Sequence, residues 1–207
     1  MQSADFETLT GSDGIELRLA LTPQARSRIL AYIRGQFMAH YDAVVDDDTP
    51  SLIGGFDASD NLIAAFGLRV AQDGFFCERY LVDSLEVTLA GHYQVAVADR
   101  HVIEVAHLCA TRPGFLGQLM PLLAINLQQR GFRYLACTAT GCLASFFTRK
   151  GLPAIRLAEA DPSCLELNER RRWGRYYEKQ PEVIAGDLRL ACRLLQAEFP
   201  SAIAGEI

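Results

Sequence analysis

Polar and apolar residues alternate from Gly14 to Ala20 (GIELRLA), the period-two pattern of a half-buried strand. Thr22-Pro23 supplies an N-cap and a first-turn proline. Ile29, Leu30, Ile33, Phe37 and Tyr41 then recur at helical spacing, which predicts an amphipathic helix over 23–40. The run DDDTP at 46–50 breaks it. Two strands follow at 51–57 and 62–71, joined by the polar turn 57–61, as in a hairpin. After the turn Gln72-Asp73-Gly74, Phe75 to Leu81 reads as a third strand, with polar groups between apolar flanks. A short helix is expected within 84–98, and Val102 to Cys109 reads as a buried strand. Arg112-Pro113-Gly114 is a loop before a helix at 115–130, stopped by Gly131 as a left-handed cap. Tyr134–Thr138 is a strand, 141–150 a helix closed by Gly151, and Ala154–Leu157 a further strand. The last forty residues are polar and aromatic, with a helix near 187–198.

Strands that first meander and then alternate with helices predict an α/β (α+β) architecture. Its sheet is mixed and mostly antiparallel, with helices on both faces. The expectation is one domain over 1–207, with 160–207 as a C-terminal extension packed on it. The net charge of −5 argues against nucleic-acid binding by counter-ion release and against a polybasic membrane anchor. The start MQSADFETLT lacks the basic and apolar regions of a secretory signal, and no run of roughly 18 apolar residues offers a transmembrane helix. The expected location is cytoplasmic, with any membrane contact made by other means. Six scattered cysteines fall in no metal or disulfide spacing, so they read as reduced, buried thiols, and no metal is expected.

Several ordered pieces carry a more specific likeness. They are Tyr41-Asp42-Ala43, Thr49-Pro50-Ser51-Leu52, Ala65-Phe66-Gly67-Leu68-Arg69-Val70-Ala71, Phe76-Cys77-Glu78-Arg79-Tyr80-Leu81, Glu104-Val105-Ala106-His107-Leu108-Cys109, Ala160-Asp161-Pro162, Trp173-Gly174-Arg175-Tyr176-Tyr177 and Pro181-Glu182-Val183. Together they resemble the thermostable haemolysin family. Its sequences look like the GNAT superfamily of acyltransferases and are akin to acyl-homoserine-lactone synthases. The chain departs from the family pattern in Ala106-His107-Leu108-Cys109 and at Arg175. The glycines of Arg112-Pro113-Gly114-Phe115-Leu116-Gly117 are shifted from the usual GNAT phosphate loop. The resemblance implies a GNAT-like fold and transfer of a fatty acyl group from acyl-CoA or an acyl carrier protein to a small amine. No tightly bound cofactor is implied.

Glu104 lies in an apolar strand, where burial disfavours its charge and raises its pKa, as suits a general base. A structural salt bridge is the alternative. His107, three residues on, faces the opposite side of a regular strand and shares a site with Glu104 only across a bulge. The resemblance implies that bulge, and implies backbone N–H groups around Leu108 and Cys109 that polarise a thioester carbonyl. It also places His107 where the lactone synthases carry arginine, and Arg69 in the substrate region. Arg69 either pairs with Glu78 or Glu104, holds an anion, or is an exposed strand end. Arg112, Gly114 and Gly117, at a helix N-terminus, suit donor phosphates. Glu78 and Tyr80 share one face of the expected third strand and either bind substrate in a catalytic cleft or belong to a solvated sheet face. Trp173, with Tyr176 and Tyr177, either caps an acyl tunnel or packs the C-terminal segment. The helices 23–40 and 115–130 would wall that tunnel. Two further functions stay open: a membrane-lytic protein, and a module that binds acyl chains or carrier protein without catalysis.

Overall fold

The computed structural model describes residues 5–12, 14–111 and 114–198. One sheet of eight strands organises them: β1 (Phe6–Ser12), β2 (Ile15–Ala20), β3 (Ser51–Asp57), β4 (Leu62–Arg69), β5 (Val102–Ala110), β6 (Tyr134–Ala139), β7 (Ala154–Glu159) and β8 (Glu182–Asp187). Their spatial order is β1-β2-β3-β4-β5-β6-β8-β7. The pair β5–β6 is parallel and the other pairs are antiparallel. Six helices accompany it: α1 (Pro23–Tyr41), α2 (Leu85–Tyr93), α3 (Gly114–Gln129), α4 (Gly141–Arg149), α5 (Leu167–Arg172) and α6 (Leu188–Glu198). This is the α/β arrangement with a mostly antiparallel sheet that the pattern predicts.

Alternation along the strands sorts the core into two layers. Ile103, Val105, Leu135 and Cys137 pack with Leu119, Leu123, Phe146 and Cys192 of α3, α4 and α6. Val102, Tyr134 and Ala136 pack on the other side with Leu85 and Leu89 of α2. Leu52 and Ala65 there meet Ile29, Ile33 and Phe37 of α1. Thr22 caps α1 by accepting from the Ala25 amide. At its other end Asp42 takes a left-handed φ of 54°, and its amide returns to Met38 O at 3.0 Å.

Three elements differ from the sequence expectation. Residues 75–81 form no strand; Phe76–Tyr80 is a 3₁₀ turn, because the Glu104 carboxylate captures the Phe76 and Cys77 amides. β1 is a polar edge strand, tied to α3 by Asn126 Nδ2, which donates to Leu9 O at 3.1 Å. β8 sits between β6 and β7, so the residues after 160 supply an interior strand as well as packing.

Candidate active site

The central parallel pair is short. β5 and β6 are in register from Val102–Tyr134 to Val105–Cys137, and then diverge. On its other side β5 pairs with β4, where Ala65 opposes Cys109 and Gly67 opposes Ala106. Phe66 therefore faces two residues, His107 and Leu108, which is a β-bulge. His107 takes φ 54° there. A left-handed conformation in a residue with a Cβ costs of order 1 kcal/mol or more and persists only where the surroundings impose it. Beyond Val105, β5 has no strand neighbour on its β6 side among the described residues, so the ladder supplies no partner to backbone groups pointing that way.

The divergence opens a cleft of about 110 Å³. Glu104, Val105, His107 and Leu108 form one wall, Cys137 to Thr140 another, and Trp173 with Tyr177 the roof. Glu104 is 2% exposed. Its oxygens accept from the Phe76 amide at 2.6 Å and the Cys77 amide at 3.0 Å. Burial pushes its pKa up to about 7; the two amides and the charge of Arg69 oppose that rise. Arg69 is directly across the ladder from Glu104. Its Nη2 donates to Asp48 O at 3.0 Å and Oδ2 at 2.6 Å, while its Nε has no partner.

The bulge brings His107 into the same cleft as Glu104. Nδ1 of His107 lies 3.3 Å from Thr49 Oγ1. The ring stacks on Trp173, with centroids 5.9 Å apart, and meets the edge of Phe37 at 5.5 Å. Burial in this aromatic setting lowers its pKa to about 4, so it is a neutral imidazole at pH 7. Thr49 itself is 2% exposed. Gly67 makes room for it, since a Cβ at 67 would come 2.2 Å from the Thr49 methyl.

Not every expected residue joins the cleft. Tyr80 lines it and bonds the Tyr177 hydroxyl, and Trp173 lies at the centre of its aromatic roof. Glu78 does not line it. In a 3₁₀ turn, positions two apart point well away from one another, and Glu78 Oε1 instead accepts from the Leu85 amide at 2.7 Å, capping α2. Cys109 lies beneath α1, its thiol at 3.5 Å from Ala65 O and pushed up to about 12 by burial. Gly114 and Gly117 lie in the first turn of α3, and Gly117 does not line the cleft; Arg112 lies outside the described residues. The acidic run is fully engaged with arginines: Asp46 with Arg172 at 2.7 Å, Asp47 with Arg26, and Asp48 with Arg69. Thr49, Thr138 and the amides of Phe76 and Cys77 escaped the sequence reading. The apolar flanks of Glu104 foretold its burial but not the backbone donors that meet it.

Among the described residues, three buried side-chain atoms have no hydrogen-bond partner: Arg69 Nε, Thr138 Oγ1 and Tyr134 OH. The first two belong to residues lining the cleft. Each such atom costs roughly 1–3 kcal/mol, so the cleft is built with polar groups unsatisfied by the protein itself. It combines a carboxyl near neutrality, a neutral imidazole, a stretch of β5 without a β6 neighbour and an arginine donor. Among the described residues no cluster of three or more His, Cys, Asp or Glu could hold a metal ion.

Solved structures share this fold at low identity. The acyl-homoserine-lactone synthase LasI is 12% identical with a TM-score of 0.60, covering 95% of this chain and 100% of its own. FeeM, an N-acyl amino acid synthase from uncultured soil microbes, is 14% identical with a TM-score of 0.59, covering 89% and 97%. The CoA-dependent acyl-homoserine lactone synthase BjaI, solved with SAM and isopentyl-CoA, is 11% identical with a TM-score of 0.53, covering 84% and 82%. Among curated proteins, none matches the chain in sequence. The family model described as thermostable hemolysin matches residues 20–192, and the chain belongs to that family.

Proposed function

We propose that the protein is an N-acyltransferase, with the acyl thioester seated between β5 and β6 and Glu104 as the general base. The observation that carries this is the position of Glu104. It is a carboxyl held near pH 7 by burial, beside a break in the sheet where β5, bulged at His107 and Leu108, has no β6 neighbour. In this scheme the amine nitrogen attacks the thioester carbonyl carbon and gives its proton to Glu104. The bulge amides hold the developing oxyanion. The C–S bond breaks, the departing thiolate takes the proton back from Glu104, and an amide forms. Arg69, through its unpartnered Nε, orients an anionic group of the acceptor. His107, neutral at the operating pH, is a polar anchor rather than a charge. The tyrosine pair Tyr80 and Tyr177 and the indole of Trp173 cover the reacting centre.

The fold neighbours support the choice of substrates, because they include a CoA-dependent lactone synthase and an N-acyl amino acid synthase. The donor is acyl-CoA or an acylated carrier protein, and the acceptor is a small amine. A cytoplasmic location follows from such donors. Among the described residues no helix is long and apolar enough to cross a membrane. Lysis, which the family's description evokes, then belongs to an amphiphilic N-acyl product. The test is thiol release from a panel of acyl thioesters and amines. Replacement of Glu104 by Gln lowers the rate roughly 10²–10⁴-fold. An unchanged rate removes Glu104 as base, and binding of thioesters without any release makes the protein a binding module instead.

A further inference from the structure

A second cavity, of about 50 Å³, lies on the α3–α6 side of the sheet. Met120 and Ala124 of α3, Phe147 of α4 and Leu195 of α6 are among its walls. Its charged lining residue, Asp187, is committed elsewhere. Oδ1 accepts from the Arg189 and Leu190 amides at 2.8 and 3.2 Å, capping α6, and Oδ2 pairs with Arg133 at 3.4 Å. What this space offers a ligand is therefore apolar surface.

Among the described residues, Cys137 alone lines both cavities. It is the last β6 residue paired with β5, at the point where the strands part. Its side chain shares the face of Leu135 and Ala139 toward α3 and α4. Helix α4 marks the same route: Leu143 lines the cleft, and Phe147, one turn on and on the same helical face, lines the second cavity. The Cys137 side chain thus stands between the cleft and the second cavity, with apolar residues behind it. Burial pushes that thiol up to about 12, so it stays an uncharged, small apolar group.

We infer that Cys137 is the partition that sets the length of acyl chain the protein accepts, a role that rests on the acyl-transfer function proposed above. A saturated, unbranched tail runs beneath α4 and stops where Cys137 and the walls behind it leave no more room. Enlarging the passage admits longer chains; filling the second cavity from α3 excludes them.

The experiment measures binding of a graded series of straight-chain S-alkyl pantetheines by calorimetry. These probes carry the arm common to coenzyme A and carrier protein and cannot be cleaved by acyl transfer. Wild type, Cys137→Ala and Ala124→Leu are compared, each first shown to unfold cooperatively. In wild type, affinity rises with each added carbon and then levels off. In Cys137→Ala the levelling point moves to longer chains, and the ratio of long-chain to short-chain affinity rises roughly tenfold. In Ala124→Leu both move the opposite way. The same levelling point in all three folded proteins overturns the partition, even if thiol release shows acyl transfer. Chain-length shifts as expected, with no thiol release from any donor and amine, uphold the partition and remove the enzymatic function. No binding of any member to wild type overturns the partition.

Discussion

Glu104 and His107 titrate in opposite senses, and their substitution gives a stringent check on the site. Burial raises Glu104 from an ordinary 4.5 to about 7. The folded protein therefore holds that proton more tightly than the unfolded chain. The stabilisation is complete below pH 4.5 and is lost as pH rises through 7, by roughly 3 kcal/mol. Burial lowers His107 from 6.5 to about 4. Here the folded state binds the proton more weakly. The stabilisation is present above pH 6.5 and is lost as pH falls through 4, again by roughly 3 kcal/mol. Between pH 4.5 and 6.5 the two trends offset one another in wild type, and single substitutions expose each. Urea unfolding of wild type, Glu104→Gln and His107→Gln across pH 4 to 8 reads both. The stability of wild type relative to Glu104→Gln falls as pH rises. Relative to His107→Gln it climbs over the lower half of the range. Background carboxylates cancel in these differences, because each variant carries all of them but one or keeps them all. Difference curves that stay flat within about 1 kcal/mol would refute the assignment of both shifts to burial.

Two other substitutions separate packing from chemistry. Gly67→Ala places a methyl against the Thr49 side chain and is expected to cost about 1–3 kcal/mol. Thr49→Ser removes the obstructing methyl and keeps the hydroxyl that meets His107, so the double variant recovers most of the loss in thermal unfolding. Glu78→Ala removes the cap of α2; it lowers stability by about 1 kcal/mol and, under the proposed function, leaves the thiol-release rate of the folded protein within a few-fold of wild type.

The sheet centre was legible because its residues solve a local problem: strands β3 to β6 are apolar runs bounded by turns, and Glu104 stands out as the lone charge in one of them. Phe75 to Leu81 misled for the opposite reason. Its aromatic and apolar flanks after a turn suit a strand, but the backbone amides of Phe76 and Cys77 serve a carboxylate 27 and more residues away, and a pattern read along the chain does not contain that partner. β8 was hidden likewise. It gains its place by pairing Ile184 with Cys137 and Ile184 with Arg156, contacts that no neighbouring residue announces. Thr49 stood within the breaker DDDTP, and nothing along the chain announced that the fold would lay it over Gly67.

The parallel pairing at the middle of the sheet comprises four residue pairs, Val102–Tyr134 to Val105–Cys137. Strands β1 to β5 on one flank and β6 to β8 on the other are thus stitched along a brief seam. A guest lodged where that seam ends touches both flanks at once and acts as a splint. Occupancy and the stiffness of the whole sheet become one quantity, so slower amide exchange in β2 and β7, far from the guest, reports what sits at the centre.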